Sequence, residues 1–272
     1  MISDDDLDDE PASERDDWQQ LAPGVRRLSL PGNAPVRKIL TGHRDREVGA
    51  FWSYKMHQHM AHESEDWESR AIKLHEVRVL VEQYFTQAEK LEIRVDGEQI
   101  NENGREIVTY TLDTLTVLRG LEVRFEVKPF SKLQPKRKLD PSHARSVYEH
   151  DRARKLRRKL RMVRQAYRNA GLLWLLLTER EMDAMSDPKT VDDIIANGGR
   201  DIDPDDFARL RFELSRAPGR RLPLGQCEAL VRASEFPRGA ILARIPERVL
   251  SMSLVDPITA ESLIKLEEIG DE

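Results

Sequence analysis

The stretch VTYTLDTLTVLRGLEVRFEVKP, from Val108 to Pro129, decides the architecture expected of this chain. Its first half, Val108 to Leu118, is rich in Val, Thr, Leu and Tyr, as β-strands are. Arg119-Gly120 predicts a turn, because Gly adopts a positive φ without steric cost. From Leu121 to Lys128, apolar and charged residues alternate strictly, which is typical of a strand. The stretch therefore predicts a β-hairpin.

The register of this hairpin decides which side chains meet. If Leu118 pairs with Leu121, Asp113 lies opposite Glu126, and opposed side chains share a face with Cβ atoms about 5 Å apart. Lys128 points the same way as Glu126, since alternate strand residues share a face. A slip of one residue would separate the three groups. We expect two carboxylates and one ammonium to converge here.

This combination of residue types suits phosphodiester hydrolysis. Two opposed carboxylates are costly unless a cation lies between them. Mg²⁺ takes a few carboxylate oxygens and completes its shell with water and substrate phosphate. The ion would activate a water, and Lys128 would orient it, help to deprotonate it, or stabilise the developing negative charge. The hairpin suggests a nuclease, but an exposed strand with an ordinary Glu–Lys alternation fits the hairpin alone equally well.

Composition sets the outer limits. A chain of 272 residues with 34% charged and 39% hydrophobic residues suits a soluble protein of one large or two ordinary domains. The acidic N-terminus has no signal-peptide pattern, and no apolar run approaches the length of a membrane span. The single cysteine, Cys227, excludes an intramolecular disulfide and a cysteine-based zinc site. We expect a cytoplasmic protein.

The charges are distributed unevenly along the chain. The first twenty residues carry nine acids and one Arg, and we expect residues 1–20 to be a disordered acidic tail. Residues Lys132 to Arg168 carry fourteen Lys or Arg and three acids, a pattern that favours contact with nucleic-acid phosphates over a merely solvated helix face. The candidate DNA-binding residues are Lys132, Lys136, Arg137, Lys138, Arg154 and Arg158.

Further elements surround the hairpin. Residues Glu65 to Gln83 predict a helix with Glu68 in its first turn, where a carboxylate either stabilises the helix dipole or supplies a metal ligand. Residues Ser142 to Asn169 predict a long basic helix with one apolar stripe. The apolar run from Leu172 to Leu177 is typical of a buried strand. Together these elements predict an α/β layered core.

A boundary is expected near Ser186-Asp187-Pro188. Asp203 before Pro204 predicts the start of a helix, and residues Gly239 to Ile245 and Val249 to Val255 are candidate strands of a wing. Three helices and a hairpin resemble a winged helix; the alternative is a small helical cap without DNA contact.

The order of several motifs resembles the TnsA-like endonucleases, which are subunits of heteromeric bacterial transposases. His62-Glu63-Ser64 and Glu68-Ser69-Arg70 resemble the family's ES-x-x-E element with one extra residue. Tyr110 to Asp113 resembles its YTPD, and Glu126 to Lys128 its EVK. Gln87 follows at the distance where the family usually has a Gln-Pro pair. Gly49, Phe51, Ser53 and Lys55 match the family's G-x-F-x-S-x-K stretch.

The resemblance implies a restriction-endonuclease-like core of the PD-(D/E)xK type, with a mixed central sheet flanked by helices, over residues 21–183. A winged-helix-like domain is expected over residues 187–272. The implied catalytic residues are Glu68, Asp113, Glu126 and Lys128, and the first three would bind one or two Mg²⁺ ions, which Mn²⁺ can replace.

The implied function is cleavage of the 5′ strands of double-stranded DNA at transposon ends, in a bacterial cytoplasm. The implied partners are a DDE-type, TnsB-like transposase and an AAA+, TnsC-like ATPase. Leu112 and Ala88 replace prolines of the family pattern, and the extra residue before Glu68 leaves Glu63 as a rival carboxylate. The alternatives are a stand-alone PD-(D/E)xK restriction or repair nuclease and a non-catalytic DNA-binding scaffold of the same fold.

Overall fold

The computed structural model describes residues 18–37, 49–62, 64, 66–94, 107–136 and 138–268. These residues form thirteen β-strands and eight α-helices. The strands are β1 (Gln19–Ala22), β2 (Val25–Ser29), β3 (Gly49–Ser53), β4 (Gln58–His62), β5 (Val81–Thr86), β6 (Glu89–Arg94), β7 (Ile107–Thr111), β8 (Thr114–Leu118), β9 (Leu121–Val127), β10 (Leu173–Leu177), β11 (Arg221–Pro223), β12 (Leu250–Ser251) and β13 (Leu263–Leu266). The helices are α1 (Glu68–Val77), α2 (Phe130–Leu133), α3 (Ala144–Asn169), α4 (Glu179–Met185), α5 (Pro188–Ala196), α6 (Pro204–Arg216), α7 (Leu224–Leu230) and α8 (Pro237–Leu242). Three predictions fall outside the described residues: the acidic tail up to Asp17, Glu63 and Arg137. The end of the predicted tail is wrong, because Gln19 and Gln20 pair with β2 as the start of β1.

The predicted hairpin forms the middle of a four-stranded sheet with strand order β10-β9-β8-β5. β8 and β9 pair antiparallel with Leu118 opposite Leu121, which confirms the predicted register. Arg119 and Gly120 both have positive φ, 48° and 75°, and two successive positive values suit the right-handed twist of a tight hairpin. β10 runs parallel to β9 on its other side, so the sheet is mixed.

The predicted strand from Val108 to Leu118 is divided between two sheets. β7 belongs to an antiparallel sheet of order β1-β2-β6-β7, whereas β8 belongs to the central sheet. At the division, Leu112 N donates to Glu89 O (2.9 Å) and Asp113 O accepts from Gln87 N (3.1 Å). The prediction of one continuous strand is wrong, because the fully buried Leu112 and these bonds fix a change of direction.

The central sheet is covered on both faces. Val123, Phe125 and Val127 of β9 share an apolar cluster with α1 and with the helices of the C-terminal region. On the opposite side, Leu160 and Tyr167 of α3 belong to a second apolar cluster, which includes residues of β8 and β10. These layers confirm a mixed α/β architecture.

The long basic helix and the strand after it differ in how well the sequence predicted them. α3 begins at Ala144, close to the predicted start, and its apolar stripe is buried at Leu160, Val163 and Tyr167. In β10, by contrast, Leu173 and Leu175 are 47% and 53% exposed. The prediction of a buried strand is wrong at these positions, because β10 is an edge strand of the sheet.

Helix α1 is shorter than the predicted helix over residues 65–83, because it ends before β5. Lys55 Nζ donates to the carbonyl oxygens of His75 and Arg78, at 2.8 Å each. These bonds satisfy carbonyls that a helix end leaves without a partner. The predicted position of Glu68 is confirmed, since it is the first residue of α1.

The region after Asp187 contains α5 to α8 and a small antiparallel sheet of order β11-β13-β12. Asp203 caps α6 as predicted, accepting from the backbone N–H groups of Asp205 and Asp206. Of the two predicted wing strands, the first is wrong, because residues 239–242 belong to α8. The second is confirmed in part by β12, which pairs with β13. A short apolar run such as GAIL does not distinguish a strand from a buried helix.

The C-terminal region packs directly on the central sheet. One continuous apolar cluster contains Phe125 and Leu177 from the sheet together with Ile194 and Leu210 from α5 and α6. The division into separate domains near residue 187 stays a prediction. Within the described residues, every helix is too short or too polar to cross a membrane.

Candidate active site

Three of the four predicted catalytic side chains converge at the end of the hairpin. Lys128 Nζ lies 3.2 Å from Asp113 Oδ2 and 2.7 Å from Glu126 Oε1. The strand pairing, which runs from Leu118 opposite Leu121 to Thr114 opposite Phe125, explains this convergence, since one further step places Asp113 opposite Glu126. Asp113, Glu126 and Lys128 are called the hairpin cluster below.

Backbone groups fix the open side of the hairpin cluster. Val127 N donates to Asp113 Oδ2 at 2.7 Å, and Lys128 Nζ donates to Val127 O at 3.1 Å. The side chains of Lys128 and Asp113 are 24% and 14% exposed, whereas that of Glu126 is 4% exposed. The cluster is therefore buried at Glu126 and reachable from solvent at Lys128 and Asp113.

Two aromatic residues hold the buried carboxylate. Tyr110 OH donates to Glu126 Oε2 at 2.6 Å, and Trp174 Nε1 donates to Tyr110 OH at 3.2 Å. Tyr110 comes from β7 and Trp174 from β10, so this chain of bonds connects three strands. The sequence indicates Tyr110 only as part of a motif. It gives no signal for Trp174, which long-range strand pairing brings to the site.

The hairpin cluster perturbs the ionisation of its own members. Burial, followed by the negative charge of Asp113, raises the pKa of Glu126 to about 7. Burial alone would lower the pKa of Lys128, but the carboxylates of Asp113 and Glu126 outweigh burial and hold that pKa above its ordinary value. Burial and the Glu126 carboxylate also raise the pKa of Tyr110 well above its ordinary range. Groups whose pKa values are shifted by burial and by neighbouring charges are common at functional sites.

Glu68, the fourth predicted catalytic residue, lies within electrostatic reach of the cluster. After Asp113 and Glu126, the Glu68 carboxylate is a further contribution that raises the pKa of Lys128. It occupies the first position of α1, and Ser69 N next to it donates to Ser64 O at 3.0 Å. A direct metal-binding role for Glu68 stays a prediction.

Lys132 is the predicted DNA-binding residue closest to the cluster along the chain. It lies on the exposed side of α2, which begins two residues after Lys128. Burial, then the positive charges of Lys128 and Arg152, lower the pKa of Lys132, while Glu68 and Asp113 oppose this shift. Lys132 is therefore within electrostatic reach of both the hairpin cluster and Arg152 of α3.

The other described candidates for DNA contact lie on the outer surface. Lys136 and Lys138 are exposed in the connection between α2 and α3. Arg154 is 72% exposed and pairs with Asp151 on the same helix at 3.0 Å, and Arg158 is exposed one turn later. These side chains extend the positive surface along α3.

The G-x-F-x-S-x-K stretch proves to support α1. Ser53 Oγ donates to Glu76 Oε2 at 2.6 Å, Tyr84 OH donates to the same oxygen at 2.7 Å, and Lys55 N donates to Glu76 Oε1 at 2.9 Å. Glu76 is fully buried. The polar motif residues therefore anchor the helix that presents Glu68.

A second buried group of charges lies on β9, two residues from Glu126. Arg124 Nε and Nη2 donate to Glu89 at 2.8 to 3.1 Å, and Tyr167 OH donates to Glu89 Oε2 at 3.0 Å. Arg124 and Glu89 are 1% and 3% exposed. Glu89, Arg124 and Tyr167 are called the Arg124 cluster below; the alternation of β9 gave no sign that Arg124 is buried.

The residues of the hairpin cluster fit a Mg²⁺ ion with two protein carboxylates. Oxygens of Asp113 and Glu126 already lie around one cationic atom, Lys128 Nζ, and Mg²⁺ sites commonly use one or two carboxylates. In the part of the chain that the structure describes, no group of three or more His, Cys, Asp or Glu side chains is arranged to hold a metal. The fit to Mg²⁺ therefore rests on the two carboxylates of Asp113 and Glu126.

A comparison with models of protein families gives no match for this chain, and a search of curated proteins gives no significant one. The functional interpretation rests on the motifs and on the geometry of the site.

Proposed function

We propose that the protein is a Mg²⁺-dependent endodeoxyribonuclease of the PD-(D/E)xK type. The observation that carries the proposal is the convergence of Lys128 Nζ with Asp113 Oδ2 and Glu126 Oε1 at the end of a hairpin. Two carboxylates and an ammonium on adjacent strands, open to solvent on one side, suit a metal ion and a phosphodiester.

The roles of the residues follow from their positions. Asp113 and Glu126 would hold the ion, and Glu68 would add a carboxylate from α1. When bound, Mg²⁺ neutralises phosphate charge and lowers the pKa of a coordinated water. The Lys128 ammonium, fixed against both carboxylates, supports a role in orienting the water and stabilising negative charge on the phosphate. Tyr110 positions the buried Glu126 oxygen.

The substrate class follows from the surface charge. Lys132 is within electrostatic reach of the hairpin cluster, and α3 carries further exposed arginines and lysines. A positive track of this kind binds nucleic-acid phosphates without reading sequence. Double-stranded DNA at transposon ends is the proposed substrate, cut on the 5′ strand alongside a DDE-type transposase and an AAA+ ATPase. The order of the motif matches supports this narrower part of the proposal.

The C-terminal region supports a winged-helix-like assignment. Its elements follow the order β11, α7, α8, β12, β13, and β13 lies in the middle of the sheet. α8, which occupies the place of a recognition helix in this order, is buried from Gly239 to Leu242, whereas the Arg238 side chain is 48% exposed. We therefore assign contact with DNA or a partner to exposed side chains of this region and not to the buried face of α8.

The experiment is strand-specific nicking of transposon-end DNA by the full chain together with its transposase partner. Wild-type protein is expected to nick the 5′ strand with Mg²⁺ and not with EDTA, and Asp113→Ala is expected to abolish nicking. Glu122→Gln is the matched control, because Glu122 is a half-exposed carboxylate on the same strand as Glu126.

The outcomes separate the candidate functions. Undiminished nicking by Asp113→Ala would refute the site assignment. Mg²⁺-dependent cutting without any partner would favour a stand-alone nuclease of the same type. DNA binding without cleavage under any of these conditions would favour a non-catalytic scaffold.

A further inference from the structure

One flank of α3 carries an exposed aromatic residue in line with basic residues. Tyr148, Arg152, Lys155 and Lys159 follow one another at intervals of four, three and four, so they share one stripe of the helix. Tyr148 is 62% exposed, and the three basic residues are also exposed. These four residues are called the flank stripe.

α2 links the hairpin cluster to α3, the helix that carries the flank stripe. α2, which follows Lys128 directly, packs on α3: Leu133 belongs to the same apolar cluster as Leu160, and Arg157 donates to Leu133 O. On α2, Lys132 lies close enough to both Lys128 and Arg152 for their charges to lower its pKa, after burial. Lys132 is therefore within electrostatic reach both of Lys128, in the hairpin cluster, and of Arg152, in the flank stripe.

We propose that the flank stripe holds the DNA strand next to the scissile phosphate and that Tyr148 stacks on an unpaired base of that strand. The inference rests on the proposed nuclease function and specifies the form of its substrate. Arg152 and Lys132 neutralise the phosphates between the cut and the stacked base.

The chemistry of the stripe favours an unpaired base. In a duplex, each base is covered by its neighbours on both faces, so an exposed ring on a protein has a face to stack on only where a base is unpaired. An aromatic side chain next to basic ones binds single-stranded DNA in this way, because every base has a π-face and every linkage a charge. Tyr148 lies one turn from Arg152, which places the ring and the guanidinium on neighbouring positions.

The test is equilibrium binding of the full-length chain to two DNA probes in EDTA, which prevents metal-dependent cleavage. One probe is a blunt duplex, and the other is the same duplex with a four-nucleotide single-stranded extension that contains 2-aminopurine. Wild-type protein is expected to prefer the extended probe and to quench 2-aminopurine. Tyr148→Ala should weaken binding of the extended probe at least about fivefold and abolish quenching, with unchanged binding of the blunt duplex.

Matched variants identify the contact. Tyr148→Phe keeps the ring and should behave as wild type, and Phe212→Ala removes a 54% exposed aromatic side chain elsewhere and should change nothing. Arg152→Gln should weaken both probes and reduce the slope of log K against log salt by about 0.7 to 0.9.

Four results would overturn the inference. Wild-type affinity of Tyr148→Ala for the extended probe would refute stacking, and so would a Tyr148→Phe variant as weak as Tyr148→Ala, since the hydroxyl would then be the contact. If the wild-type chain bound neither probe, the proposed DNA substrate would fail as well. Intact Mg²⁺-dependent nicking with no effect of Tyr148→Ala would refute the stacking alone.

Discussion

The hairpin cluster and the Arg124 cluster contain similar residues but differ in how completely each is enclosed. Arg124 and Glu126 lie two residues apart on β9 and point to the same face, and both take part in ion pairs. In the Arg124 cluster, Arg124 and Glu89 are 1% and 3% exposed, and several hydrogen bonds join them. In the hairpin cluster, Lys128 is 24% exposed, and its ammonium pairs with two carboxylates, as the Arg124 guanidinium pairs with Glu89 and Glu122.

This difference distinguishes a structural ion pair from a candidate reactive one. A buried pair whose charges are balanced and enclosed holds elements together, and it is costly to break because one charge remains without its partner. Two carboxylates sharing one cation beside solvent can exchange that contact for a metal ion or a phosphate. The strand face on which a charged residue lies is therefore a poor guide to its role. The degree to which the surrounding protein encloses the residue is a better one.

The largest expected effect separates the clusters by activity. Lys128→Met removes the ammonium and keeps much of the side-chain length, and we expect Mg²⁺-dependent nicking to fall by about 10³-fold because charge stabilisation at the phosphate is lost. Single-turnover nicking measures the effect, with circular dichroism as the control for folding. A loss of less than tenfold would show that Lys128 is a structural residue like Arg124.

The reverse pattern is expected in the Arg124 cluster. Arg124→Met leaves the Glu89 carboxylate buried without its main partner, and we expect the free energy of unfolding to fall by about 3 kcal/mol. Urea denaturation measures this loss. Nicking per folded molecule should stay within a few-fold of wild type, and a specific loss of activity without loss of stability would contradict the structural role.

His75 of α1, whose ring packs on Phe125 of β9, extends the comparison to the dependence of stability on pH. Burial, then the charges of Lys55 and Arg78, lower the pKa of His75 to about 3, and its ring packs 5.1 Å from that of Phe125. The unfolded chain binds the proton below the ordinary pKa of about 6.5, so this stability is present above pH 6.5 and is lost as the pH falls.

Between pH 7 and pH 5 the His75 contribution should amount to about 2 kcal/mol. His75→Leu should remove this part of the pH dependence, whatever its effect at pH 7. Urea denaturation of both proteins at the two pH values measures it, and parallel losses in both proteins would show that His75 does not contribute.

The smallest expected effect tests how Glu126 is held. Tyr110→Phe removes the hydroxyl that donates to Glu126 Oε2 and accepts from Trp174 Nε1, and we expect a loss of about 1 kcal/mol in stability. Nicking should fall several-fold, since the buried oxygen loses a positioning bond. Trp174→Phe, which removes only the outer donor, should have a smaller effect on nicking; equal effects would argue that Tyr110 acts only through packing.

Local patterns predicted the parts of the fold that local physics controls. The strict alternation from Leu121 to Lys128 and the Arg119-Gly120 turn fixed the hairpin register, and the register brought Asp113 to Glu126. The apolar stripe predicted α3, and Asp203 before Pro204 predicted the start of α6. Each of these signals acts over a few residues, so sequence spacing was enough.

Contacts between distant segments account for the errors. The strand over 108–118 is divided because Glu89 and Gln87 bond to the chain at Leu112 and Asp113. The helix from residue 65 stops early because Lys55 caps its end.

The sequence by itself determined the hairpin, its register and the meeting of two carboxylates with one ammonium, because alternation along a strand and a tight turn are local properties. Only the tertiary structure decided which buried charges are enclosed and which remain open to solvent. That outcome depends on Tyr110, Trp174 and Glu89, whose distances along the chain from β9 leave no periodic signal. It also decided that Lys132 comes within electrostatic reach of Arg152, since the packing of α2 on α3 joins segments that sequence spacing does not relate.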